Sequence, residues 1–161
     1  MKNATMYLIL LFGIMICACS KDEDSGKSRL LDESEVSHLV SNLMVNGYTK
    51  GSIGDQLPES YTTTYSNPNL PMNIFFAVSR SIGGEAIKVN DFLITNLFTT
   101  ENVDKIRVNG TDVYQALDVD TWRAIFFKGQ YSFSFSVFGP TAETAKPEVD
   151  KFVQQATTLL E

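Results

Sequence analysis

Apolar residues recur along this chain with two periods, and each period predicts an element. Val36, Leu39, Val40, Leu43 and Met44 fall at i, i+3, i+4, i+7 and i+8. That stripe predicts a half-buried helix over 32–46, with Asp32 or Ser34 as cap and Asn46-Gly47 as stop. His38 lies on the side of the helix away from the stripe and is expected to face solvent. The stretch 48–71 is rich in Gly, Ser, Thr, Asn and Pro and predicts short extended pieces joined by turns. These are Gly47-Tyr48-Thr49, then Leu57 to Tyr61, a strand over Thr62–Tyr65 and a turn at Asn67–Pro71. Met72 to Arg80 predicts a strand, Gly83-Gly84 a turn and Glu85 to Val89 a returning strand. Asn90-Asp91 marks the start of a short helix carrying Phe92, Leu93 and Leu97, to about Thr99.

Two hairpins follow. Val103–Val108 and Thr111–Leu117 flank Asn109-Gly110, a pair that tolerates positive φ and so predicts a type I′ turn. Trp122–Lys128 and Tyr131–Phe138 flank Gly129-Gln130. In the last strand Tyr131, Phe133, Phe135 and Val137 alternate with Ser132, Ser134 and Ser136, which predicts one apolar and one small polar face. Gly139-Pro140 ends it. Pro147 suits the first turn of a final helix whose stripe is Val149, Phe152, Val153, Ala156 and Leu160. No repeat or second linker interrupts 31–161, which reads as one globular α+β domain.

The amino terminus has a different pattern. Lys2 is followed by an apolar run from Met6 to Ala18. At about 1.5 Å per residue this run is too short to span a bilayer, so 1–18 reads as a cleaved signal peptide. Ile16-Cys17-Ala18-Cys19 resembles the lipobox of bacterial lipoproteins, a small residue before an obligatory cysteine. The resemblance implies lipidation of Cys19 and attachment to a membrane; the alternative is an ordinary signal peptide and a soluble secreted protein. A single long acyl chain would contribute on the order of 10 kcal/mol of membrane affinity. Residues 19–30 are polar and carry no large apolar residue before Leu30, and they predict a flexible tether. Within it Lys21, Asp22, Glu23 and Asp24 resemble the surface-export signal of Bacteroidota lipoproteins, which implies the outer face of the outer membrane. The alternative is a solvated acidic linker on a periplasm-facing lipoprotein.

Composition narrows the chemistry. The 161 residues carry a net charge of −6 without a basic cluster, which argues against nucleic acid as partner. One histidine and two cysteines leave no ligand set for a zinc cluster and no disulfide framework. A Ser-His-Asp triad would have to use His38, and no Gly-x-Ser-x-Gly elbow or phosphate-binding glycine loop occurs. No catalytic residue, metal site or cofactor is therefore expected. Asp118 and Asp120 before Trp122 could bind a sugar or Ca²⁺, or act as paired carboxylates in a glycan hydrolase; a solvated turn is the plainer reading. Tyr61 and Tyr65 share one side of an extended segment and could stack on a ligand or pack in the core.

The order of parts resembles the PsbP and DcrB group of small α/β/α sandwiches. The residues that carry it are Leu57–Tyr61, Asn109-Gly110, the aromatic strands with Gly129-Gln130-Tyr131, and the closing helix around Asp150–Val153. It implies an antiparallel sheet flanked by helices, to which 32–46 adds an N-terminal helix, and it implies little about function. The function expected is a membrane-anchored, non-catalytic binding module for a protein or glycan, with a carboxylate hydrolase and an immunity or envelope-assembly lipoprotein as alternatives.

Overall fold

The computed structural model describes residues 29–54, 60–80, 98 and 102–161. The signal peptide, Cys19 and the acidic tether residues Lys21, Asp22, Glu23 and Asp24 lie outside the described residues. So do Leu57-Pro58-Glu59, the Gly83-Gly84 turn, the strand expected at Glu85–Val89 and, apart from Phe98, the helix expected after Asp91.

Among the described residues seven antiparallel strands form one sheet: β1 (Thr49–Lys50), β2 (Ser60–Ser66), β3 (Asn73–Arg80), β4 (Asp104–Val108), β5 (Thr111–Asp118), β6 (Thr121–Lys128) and β7 (Tyr131–Phe138). Their order is β1-β2-β3-β7-β6-β5-β4. Two meanders thus meet where β3 pairs with β7, with Phe76 opposite Phe135. Helix α1 (Glu33–Asn42) and helix α2 (Lys146–Leu159) join the sheet in an α+β fold.

The alternation read in β7 decides the layering. Tyr131, Phe133, Phe135 and Val137 are buried on the inner face, in one core with Tyr61, Tyr65, Ile74, Phe76, Val78 and Phe126. Both helices insert their stripes into that core: Val36, Leu39 and Val40 from α1, Val149, Phe152, Val153 and Ala156 from α2. Aromatic stacking fixes the register of the layers. Phe76 lies on Phe135 at 4.7 Å and Phe126 on Phe133 at 4.9 Å, both nearly parallel. On the outer face Phe98, Ala116 and Ile125 form a second, smaller cluster. Both described helices therefore lie on one side of the sheet.

Helix α1 is shorter than its stripe suggested. It ends at Asn42, because Leu43 turns extended (φ −69°, ψ 100°), and Met44, expected in the stripe, is exposed. Its start is a capping box: the Ser34 N–H donates to Asp32 Oδ1 at 3.1 Å and the Asp32 N–H donates to Glu35 Oε2 at 2.8 Å. At its other end the Lys50 ammonium donates to the Val40 carbonyl, which satisfies a last-turn acceptor. His38 is exposed, as its place on the helix required, and its ring Nδ1 meets the Asn42 amide at 3.1 Å.

The turns behave as their residues require. Asn109 (φ 47°) and Gly110 (φ 71°) both adopt the left-handed region expected of a type I′ turn. At the β6–β7 turn Gly129 has φ 57°, and a Cβ there would lie 2.7 Å from the Leu31 backbone nitrogen. That approach has a purpose: the Leu31 N–H donates to Gln130 Oε1 at 3.0 Å, and Gln130 Nε2 donates to the Leu31 carbonyl at 2.7 Å. This buried pair latches the start of the domain onto the β6–β7 turn.

Candidate functional site

The registers sort the turns to two ends of the sheet. The β4–β5 turn, the β6–β7 turn, the Leu31 latch and the carboxyl end of α2 share one end; there Lys128 donates to the Leu160 carbonyl. The β5–β6 turn, the exit of β7 and the start of α2 share the other. Strands of about eight residues separate the two ends by roughly 25 Å. Arg29, the first described residue, lies at the latch end.

At the opposite end a hollow lies between the β5–β6 turn and the link from β7 to α2. Leu117, Val119, Asp120, Gly139, Pro140, Ala142 and Glu143 line it. Its two walls are joined by the Gly139 N–H, which donates to the Asp120 carbonyl at 2.8 Å. A 3-10 turn over Ala142–Thr144 carries Glu143 outward while burying Ala142. Val119 takes φ +58° with 87% of its surface exposed. On the other side of the same end, Phe138 is 57% exposed and meets Phe75 edge-on at 6.3 Å.

The sequence-derived candidates separate in space. Tyr61 and Tyr65 do face one side, and that side is the core: they are 3% and 0% exposed. Tyr65 packs on Phe152 at 4.7 Å and its hydroxyl donates to the Leu43 carbonyl at 2.9 Å. Burial, and to a lesser degree the neighbouring Tyr61, pushes its pKa well up. Tyr61 lies beneath the Lys50 ammonium, 5.6 Å from its ring centre, and its buried hydroxyl has no partner among the described residues. Neither ring can stack on a glycan, because period-two alternation over four residues points both at the helices.

Asp118 and Asp120 part company as well. Alternation would point both carboxylates one way, but the left-handed residue between them breaks the alternation. Asp118 is buried opposite Thr121, whereas Asp120 is exposed and lines the hollow. Trp122 is half-buried on the inner face, with the Lys146 ammonium 5.8 Å above its ring and its indole N–H buried without a partner among the described residues. Lys146 is held there by Asp150 at 2.8 Å and by Gln115 Oε1 at 3.3 Å. The tryptophan face is thus already occupied by a cation of the chain itself.

Tyr48 and α2 form a structural junction. The Tyr48 hydroxyl donates to Glu148 Oε2 at 2.9 Å, and its ring meets Phe152 edge-on at 4.9 Å. Burial and then the Glu148 carboxylate push the tyrosine pKa up. The Glu148 carboxyl is held below its ordinary range, first by the Lys151 ammonium and also by the Tyr48 hydroxyl, against burial that raises it.

Among the described residues no three His, Cys, Asp or Glu side chains are grouped to hold a metal ion, and no helix is long and apolar enough to cross a membrane. Sequence reasoning reached Asp120 but missed Val119, Pro140 and Glu143 as its companions. The available signal was the parity of two successive hairpins, which puts Asp118–Thr121 and Gly139-Pro140 at the same end of the sheet. Comparison of the chain with protein-family models, with curated proteins and with solved structures gave no match.

Proposed function

We propose that this protein is a lipid-anchored, non-catalytic binding module displayed on the outer membrane of a Bacteroidota cell. The lipobox-like Ile16–Cys19 and the acidic Lys21–Asp24 run support the address. The observation that carries the binding role is the hollow at the end of the sheet remote from Arg29, where Val119 stays exposed beside Asp120 and Glu143. A domain tethered through Arg29 presents that end away from the lipid. The finer likeness to PsbP and DcrB sandwiches, with α1 as an addition, belongs to this reading; the helices packed on the inner face supply one of the two helical layers it calls for.

The two exposed carboxylates of the hollow favour a protein partner, such as the target of an immunity or envelope-assembly lipoprotein, over a glycan. A carboxylate hydrolase is disfavoured because Asp118 and Asp120 do not share a site.

The anchor is tested by Cys19→Ala, which should shift the protein from the membrane pellet to the soluble fraction; continued pelleting would refute it. Capture from intact cells with the lipidated mature chain tests the binding role. Recovery of no partner above a control lipoprotein would count against it.

A further inference from the structure

We infer that the hollow between the β5–β6 turn and the β7–α2 link receives a lysine or arginine side chain of a partner protein. This rests on the binding-module reading and names the chemistry of its partner. Leu117, Val119, Pro140 and Ala142 give the hollow apolar walls, and Asp120 and Glu143 give it two carboxylates. No cation lines it, and neither carboxylate is in an ion pair among the described residues. Of the two basic residues three positions from these carboxylates, Lys146 is committed to Asp150, Gln115 and the Trp122 ring, and Arg123 is not part of the lining.

A side chain with an aliphatic stem and a charged tip fits such a lining: the stem covers the apolar walls and the cation meets the carboxylates. A sugar is bound best against an aromatic platform, and no aromatic ring lines the hollow. A metal ion would need more ligands than two carboxylates. The chain's net charge of −6 adds long-range attraction for a basic partner.

Val119 forms one wall of the hollow. A β-branched residue at φ +58° is strained, and glycine would relieve the strain. The structure keeps an aliphatic side chain there, 87% exposed, where it makes little of the core but one wall of the hollow.

The test uses the lipidated mature chain in non-ionic detergent micelles. The probes are fluorescein-labelled blocked peptides, Gly-Leu-Arg-Leu-Gly and the same peptide with neutral citrulline for arginine. Fluorescence anisotropy should show the arginine peptide binding about tenfold more tightly than the citrulline peptide at low salt. Asp120→Asn with Glu143→Gln should erase that difference, and Val119→Gly should weaken both peptides. All these side chains are exposed, so circular dichroism should show an unchanged fold. Equal binding of the two peptides, no binding of either, or undiminished arginine binding by the double variant would overturn the inference. Capture from intact cells separates it from the reading beneath it. A partner held equally by wild type and double variant would sink the cationic pocket and leave the module. A peptide-binding hollow on a chain that captures nothing would do the reverse.

Discussion

Val119 shows how much a single backbone angle can reveal. Its φ of +58° lies where a non-glycine residue is disfavoured by about 1–2 kcal/mol. Glycine would remove that strain but lose about 0.5–1 kcal/mol through its freer unfolded chain. Val119→Gly should therefore stabilise the domain by about 0.5–1 kcal/mol, about 1–4 °C in Tm by calorimetry. A lower Tm would mean that the valine side chain packs well enough to outweigh its backbone. Tyr61 and Tyr65 teach a related lesson at the same scale. Their spacing fixed that they share a side, but only the position of α1 and α2 fixed that the side is interior. The amphipathic character of tyrosine suits either environment, so residue type alone left the choice open.

Among the elements, the latch at Leu31 is the feature with the plainest consequence. Gln130 satisfies both backbone groups of Leu31 in a buried setting, and Gly129 leaves room for the approach. Gln130→Ala should destabilise the domain by about 2–3 kcal/mol, because two buried backbone groups lose their partners. Hydrogen exchange should quicken first at Leu31 and in α1, ahead of α2. Uniform quickening across the sheet would show that the latch is no separate unit. The hairpins, by contrast, were almost wholly legible beforehand. Asn109-Gly110 and the serine-aromatic alternation of Tyr131–Phe138 specify turn and face locally, within a span where few competing arrangements exist. Helix α1 was legible in type but not in length. Its stripe continued to Met44, and the chain left the helix at Leu43, whose side chain is fully buried in the core.

For the whole molecule, stability against pH should form a plateau with two flanks. The folded pKa of Glu148 is depressed, chiefly by Lys151. Its contribution is present above the unfolded carboxylate value and is lost as pH falls through the folded one. The folded pKa values of Tyr48 and Tyr65 are raised, chiefly by burial. Their contribution is present below the unfolded value of about 10 and is lost as pH climbs beyond it. Urea midpoints should therefore hold steady between about pH 5 and pH 10 and decline on both sides. Glu148→Gln should soften the acid flank and Tyr48→Phe the alkaline one. An alkaline flank that Tyr48→Phe leaves untouched would locate its cause in other groups.

The charge, the two apolar periods and the turn residues were set by the sequence alone, because each depends on neighbours within a few positions of the chain. From them came the α+β class, the two hairpins and the closing helix. The site was another matter. Asp120 and Glu143 are 23 positions apart, and they line one hollow only because β6 and β7 run out and back before the chain turns into α2. The same folding took Asp118 away from Asp120, a separation of two residues that the left-handed turn converts into opposite surroundings. Local periodicity prescribes which way a side chain leaves its own strand. What awaits it there is decided by the layers that pack around the sheet, and those are held by aromatic contacts between segments far apart in sequence.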